Sequence, residues 1–195
     1  MATDFGRPRD PRIDAAALTA AVELLTGTGY AELTVDAIAR HAGTSKPAIY
    51  RRWPSKAHLV HEAVFPIDAS TDLPDTGSLA GDVREMLRRT VAVLTTPAAR
   101  AALPGLIAEM ATDLTLHAAL LVRFNDILAR GLADRLADAA ERGEVRPEVT
   151  AADLTEALAG ITLLALLTRG SDTAATLDDT WIDRTTTLIT KGIAR

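Results

Sequence analysis

The stretch Thr34-Val-Asp-Ala-Ile-Ala-Arg-His-Ala-Gly-Thr-Ser-Lys-Pro-Ala-Ile-Tyr-Arg-Arg-Trp-Pro-Ser-Lys56 decides the reading of this chain. It describes two short helices joined by a tight turn. Thr34 is a good N-cap, and Asp36 in the first turn complements the positive end of the helix dipole. Ala39 is small enough for a second helix to cross closely. Gly43 can adopt the left-handed conformation that closes the first of the pair. The second helix begins at Ser45, with Pro47 in its first turn, where a missing amide hydrogen costs little. Ile38, Ala42, Ile49 and Trp53 fall where they can pack together. Lys46, Ala48, Tyr50, Arg51 and Arg52 are left to share the outward directions. A short helix with small and basic residues outward suits a DNA major groove.

Charge supports this placement. The whole chain of 195 residues carries a net charge of −5. Residues 1–65 hold eight basic and seven acidic side chains, and the remainder thirteen and nineteen. From Ala37 to His61 there are Arg40, Lys46, Arg51, Arg52 and Lys56 and no acid at all. A basic patch on an acidic protein marks where a polyanion can approach. The alternative is a solvated helical face.

Working outward, strand signals are nearly absent and helical periodicity runs throughout. The fold class expected is all-α. Ile13, Ala17, Ala20, Ala21, Leu24 and Leu25 share a face of a helix over 12–26, stopped by Gly27 and Gly29. A fourth helix starts at Ser55. Residues 66–78, rich in Pro, Asp, Ser and Thr, read as a loop. Helices follow near 79–95, 98–111, 114–141, 150–168 and 174–192, with Pro104 expected to kink or split its helix. The domain division expected is 10–61 for DNA binding and 62–195 for ligand binding and dimerisation.

The helix at 150–168 places Leu158, Ile161, Leu164, Ala165 and Thr168 on one face, yet Leu163, Leu166 and Leu167 add apolar residues around it. A helix apolar on several sides must be covered on several sides. A homodimer interface would do this, and so would a deep position in a monomer core. The longest apolar run, near Ala157 to Leu167, is short for a membrane span, which needs ~20 residues. With no cysteine and a polar N-terminus, the expectation is a cytoplasmic protein with no membrane partner. Gly-rich phosphate loops, serine elbows and HExxH-type metal motifs are missing from the sequence. The expectation is therefore no enzyme, no cofactor and no metal. Glu109 and Asp113 lie four apart on one helical face but lack further ligands, so a solvated face is the simpler reading.

The quoted segment strongly resembles the DNA-binding domain of the TetR family of transcriptional regulators. Gly29-Tyr30, Thr34-Val35, Ile38-Ala39, Ala42-Gly43, Ser45-Lys46, Ile49-Tyr50, Arg52-Trp53 and Ser55-Lys56 carry the likeness, over about residues 12–61. Thr44 departs from it, standing where the family usually has valine. Gly27 stands where the family usually has a better helix former, which suggests early fraying. A looser likeness to the larger helical domain of one branch runs through Asp75-Thr76-Gly77-Ser78-Leu79, Arg142-Gly143-Glu144-Val145-Arg146-Pro147 and Leu177-Asp178-Asp179.

The resemblance implies that Thr34, Tyr50 and Lys56 hold phosphates of double-stranded DNA. It implies that Ser45, Lys46, Pro47, Ala48 and Arg51 face the groove with the turn residue Thr44, and that Arg52 reaches a phosphate or a base. It further implies a homodimer built on the last two helices, and a repressor released by a small apolar effector. Met86, Met110, His117 and Phe124 are the candidate effector-binding residues, with plain core as the alternative for each.

Overall fold

The structure is a computed structural model and describes residues 11–66, 74–169 and 177–193; the side chains of 123–130 lie outside that description. Nine helices and no strand occur among the described residues. The chain is all-α, as its periodicity leads one to expect.

Helix α1, Pro11–Glu32, opens on a proline, whose missing amide hydrogen is unneeded in a first turn. Ala17, Ala20, Ala21 and Leu25 recur at helical spacing and are buried. The helix does not stop at Gly27. It breaks at Gly29, where φ is 78° and ψ 170°. A glycine inside a helix costs only about 1 kcal/mol, and the Thr26 and Thr28 hydroxyls donate to the carbonyls of Val22 (3.1 Å) and Leu24 (3.0 Å). The break turns Tyr30 into the core, 8% exposed.

Helices α2 (Val35–His41), α3 (Lys46–Tyr50) and α4 (Lys56–Val64) follow. Then come α5 (Leu79–Leu94), α6 (Pro97–Thr112), α7 (Leu114–Glu141), α8 (Ala151–Thr168) and α9 (Asp179–Ile193). Caps define these ends chemically. The Ser55 and Ser78 side chains accept from the amides of His58 and Gly81, and Thr150 and Asp153 form a reciprocal capping box. Asp113, one of the paired carboxylates, accepts from the amides of Thr115 and Leu116 and so caps α7. Pro104 does not split α6, which runs through it with Ala99, Ala102 and Leu106 buried along one side. Packing of that face outweighs the lost hydrogen bond.

Two apolar clusters form. The first joins α1–α4 to α6 and to Leu116 and Leu120 of α7. The second joins α5, the later part of α7, α8 and α9. Packing therefore crosses position 61, and α4 touches α1, α6 and α7. Helix α8 is, by length and composition, apolar enough to cross a membrane, which the shorter apolar run in the sequence does not suggest. Its Leu154, Leu158 and Ala165 belong to the second cluster. Leu164 and Leu167 stay 62% and 59% exposed, beside Leu188 of α9 at 68% among the large apolar side chains left uncovered.

Candidate nucleic-acid interface

The interface is built on three local devices. Thr34 is extended (φ −122°, ψ 149°), and its hydroxyl accepts from the Ala37 amide at 3.1 Å, starting α2. At the other end Gly43 has φ 62°. The Gly43 amide donates to Arg40 (3.3 Å) and the Thr44 amide to Ala39 (2.9 Å), the paired bonds of a Schellman closure. Ser45 then caps α3 by accepting from the Ala48 amide at 3.3 Å, with Pro47 in the first turn. Each device works within a few residues, so the turn between α2 and α3 follows from local sequence.

One face of α3 is held against the first cluster by Ile49, near fully buried Ile38 and Trp53. Thr34, Ser45, Lys46, Pro47, Tyr50 and Arg51 lie on the exposed side, and Thr44 is half-buried. Tyr50 is 45% exposed. Lys46 sits beside Asp36, its Nζ 2.7 Å from Oδ2, and that carboxylate raises its pKa through a hydrogen bond and through charge.

Three expected contacts are placed differently. Ala48 faces inward at 5% exposure, because its methyl group adjoins Ile49 on the seated side of this five-residue helix. Arg52 turns back rather than outward. Its guanidinium pairs with Asp14 of α1 and donates to the Ala48 carbonyl at 3.1 Å, leaving its side chain 10% exposed. It is thus a strut between α1 and the end of α3. Lys56 also points inward: Nζ donates to the Tyr30 carbonyl at 3.0 Å, lies 4.0 Å from the Tyr30 ring centroid and 4.0 Å from Glu109 of α6. An amide carbonyl, an aromatic face and a carboxylate together outcompete solvent for this ammonium group.

Sequence reasoning therefore missed Asp14, and it singled out Tyr30 and Glu109 without seeing that they hold Lys56. No spacing rule links residues on different helices. Burial, with Glu109 beside it, pushes the Tyr30 phenol well above its usual range. The α6 backbone comes close here, and a Cβ at Gly105 would overlap the Tyr30 ring.

Replacing Arg52 by Ala is expected to lower stability by about 1–3 kcal/mol, since Asp14 would lose its half-buried partner. Thermal unfolding should show a drop of several degrees. A side chain that served mainly to hold DNA would leave the melting curve unchanged.

The effector candidates do not converge. Met86 is buried in the second cluster, whereas Met110 packs at the edge of the first. His117 is half-buried, and the Phe124 side chain lies outside the described residues. An open cavity of about 250 Å³ is lined instead by Leu136, Ala140, Val145, Arg146, Pro147 and Val149, among others. Met86 is core, and Met110 is a partly buried residue on the margin of a different cluster. No group of three or more metal-ligating side chains occurs among the described residues.

A capped two-helix reading head carried on a larger helical body defines a class: the helix-turn-helix regulators. Residues 17–63 match the family described as bacterial regulatory proteins, tetR family, and residues 73–189 match the tetracyclin repressor-like C-terminal domain. The chain is 33% identical to the DNA-binding transcriptional repressor TetR of Mycobacteroides abscessus, over 87% of each chain. It is 40% identical to the HTH-type regulator YdeS of Bacillus subtilis over 43% of this chain and 42% of that one. The crystal structure of the TetR family transcription regulator SCO0332 superposes with a TM-score of 0.71 at 31% identity, covering 94% of this chain and all of that one. The chain belongs to the TetR family and is a DNA-binding transcriptional regulator.

Proposed function

We propose that the protein is a ligand-responsive repressor that binds an approximately palindromic operator as a homodimer. The observation that carries the DNA part is the exposed Lys46–Tyr50–Arg51 side of α3, held out while Ile49 is locked beneath it. In this reading Thr34 and Tyr50 contact phosphates, and Ser45, Lys46, Pro47 and Arg51 face the groove, with Thr44 at the turn. The repressor sense rests on the printed function of the Mycobacteroides relative. Two copies of α3 must meet successive major grooves, roughly 34 Å apart.

The homodimer is built on α8 and α9. Support comes from the exposed Leu164, Leu167 and Leu188 on those helices, and from open space at Gly160, where a partner helix can approach closely.

Release by a small apolar molecule acts through residues 62–195 on the head at 10–61. Helix α4 is the transmitting element, since it packs on α1 of the head and on α6 and α7 of the body. At the Tyr30–Gly105 seat, with Lys56 against the Tyr30 ring, α6 bears closely on the head. A coupling of ~1–3 kcal/mol suffices, and it acts equally on DNA and effector affinity. Gly105→Ala is expected to cost about 1–3 kcal/mol of stability by overpacking. Melting reads that cost, and a gel shift at fixed temperature should show altered DNA affinity because α6 is forced away from α1.

The deciding experiment is selection of bound fragments from random duplex DNA. A recovered inverted repeat with half-sites about one helical turn apart supports the proposal. Recovery of single half-sites only, or no enrichment, refutes it.

A further inference from the structure

Asp36 is an acid placed on the DNA-facing side of the head. It lies in the first turn of α2, outside the acid-free run but directly across from Lys46, the first residue of α3. The carboxylate and ammonium groups are 2.7 Å apart, and both side chains are largely exposed, 64% and 46%. Neither belongs to an apolar cluster, so the pair is not needed to seat α3, which is done by Ile38, Ile49 and Trp53. An exposed pair of this kind contributes little to folding. Its consequence lies in what Lys46 can do.

We infer that Asp36 is a specificity-determining residue: it occupies Lys46 in the free protein and so taxes DNA that offers this lysine only a phosphate. The inference rests on the proposed DNA-facing role of Lys46. On any duplex, a phosphate that reaches Lys46, whether it displaces Asp36 or shares the ammonium with it, brings its negative charge against the Asp36 carboxylate, whereas a base edge carries no net charge. Nonspecific DNA offers a phosphate contact alone, and most nonspecific affinity comes from such contacts. A base edge in the groove can accept a second Lys46 hydrogen while the pair persists, since an ammonium carries three donors. The acid therefore costs nonspecific binding more than specific binding and widens the ratio between them.

The test uses full-length protein and a mixed-sequence duplex with no selected operator, titrated across a salt series. Asp36→Asn keeps the size and the exposed position. It is expected to raise nonspecific affinity about threefold near 0.1 M salt and to steepen the log–log salt slope by about 0.9 per head, one additional phosphate contact. In a Lys46→Ala background the same change should have almost no effect on the slope. Arg51→Glu tests the interface independently and should weaken binding in every background. If Asp36→Asn leaves affinity and slope unchanged while Arg51→Glu abolishes binding, the inference is overturned and the DNA-binding reading stands. An equal gain from Asp36→Asn with and without Lys46 also overturns it, because charge removal alone would explain the gain. If neither Asp36→Asn nor Arg51→Glu alters binding, both the inference and the assignment of this face fall together.

Discussion

Lys46→Glu is expected to reduce duplex affinity by about tenfold per head, hence ~100-fold for a two-headed binder at 0.1 M salt. The side chain is exposed on α3, with its Nζ hydrogen-bonded to Asp36. Reversal removes a positive charge, adds a negative one next to the existing carboxylate, and presents both to phosphates. Folding should be little affected, because Ser45 and not Lys46 caps α3 and the seated face is untouched. The checks are fluorescence anisotropy across a salt series and a melting curve on the same sample. The loss should shrink as salt rises, because repulsion between the new carboxylate and the phosphates is screened. Unchanged affinity with an unchanged slope would remove α3 from the interface.

Leu164→Glu is expected to convert the proposed dimer to monomers, with a dissociation constant raised ~1000-fold or more. Burying a leucine side chain contributes about 1.5–3 kcal/mol, and a twofold axis counts each substitution twice. The new carboxylate would also be desolvated near its own symmetry copy, adding repulsion. Leu164 is 62% exposed within one chain, so the fold itself loses little. Sedimentation velocity reads the mass directly, and DNA retention should fall with it because one head supplies half the contacts. Leu114→Glu is the matched control: Leu114 is even more exposed, at 79%, but opens α7 rather than lying on α8 or α9. It should leave the mass unchanged. If the unaltered protein already sediments as a monomer at micromolar concentration, the proposed dimer is wrong.

Much of the reading head was legible before any coordinates. Thr34, Ser45 and Ser55 each accept a hydrogen bond from an amide three residues on, and Gly43 makes its turn with its nearest neighbours. Such bonds depend on chain connectivity alone, so residue type and spacing reveal them. The same holds for the exposed Lys46, Tyr50 and Arg51 beside the buried Ile49. Ala48 was misplaced because a five-residue helix has too few turns to define its face, and a methyl group suits either side.

The longer reach of Arg52 and Lys56 was not legible. Both look like DNA contacts in a basic run, yet each finds a better partner on a distant helix: Asp14 for one, and Tyr30 with Glu109 for the other. A flexible cation takes the deepest electrostatic well within its radius, and which wells lie there is set by helix packing. The methionines show the same limit, since residue type marks Met86 and Met110 as suited to apolar surroundings without saying that they face different clusters.

By itself, then, the sequence determined the all-helical class, the capped α2–α3 turn and the cations that it presents, because these arise from interactions along one short stretch of chain. Tertiary structure alone decided that α6 shares the head's core, that Gly105 seats Tyr30, and that two of the basic side chains brace the head instead of facing outward. Those outcomes depend on contacts between residues far apart in sequence, which come within reach only after the helices have packed.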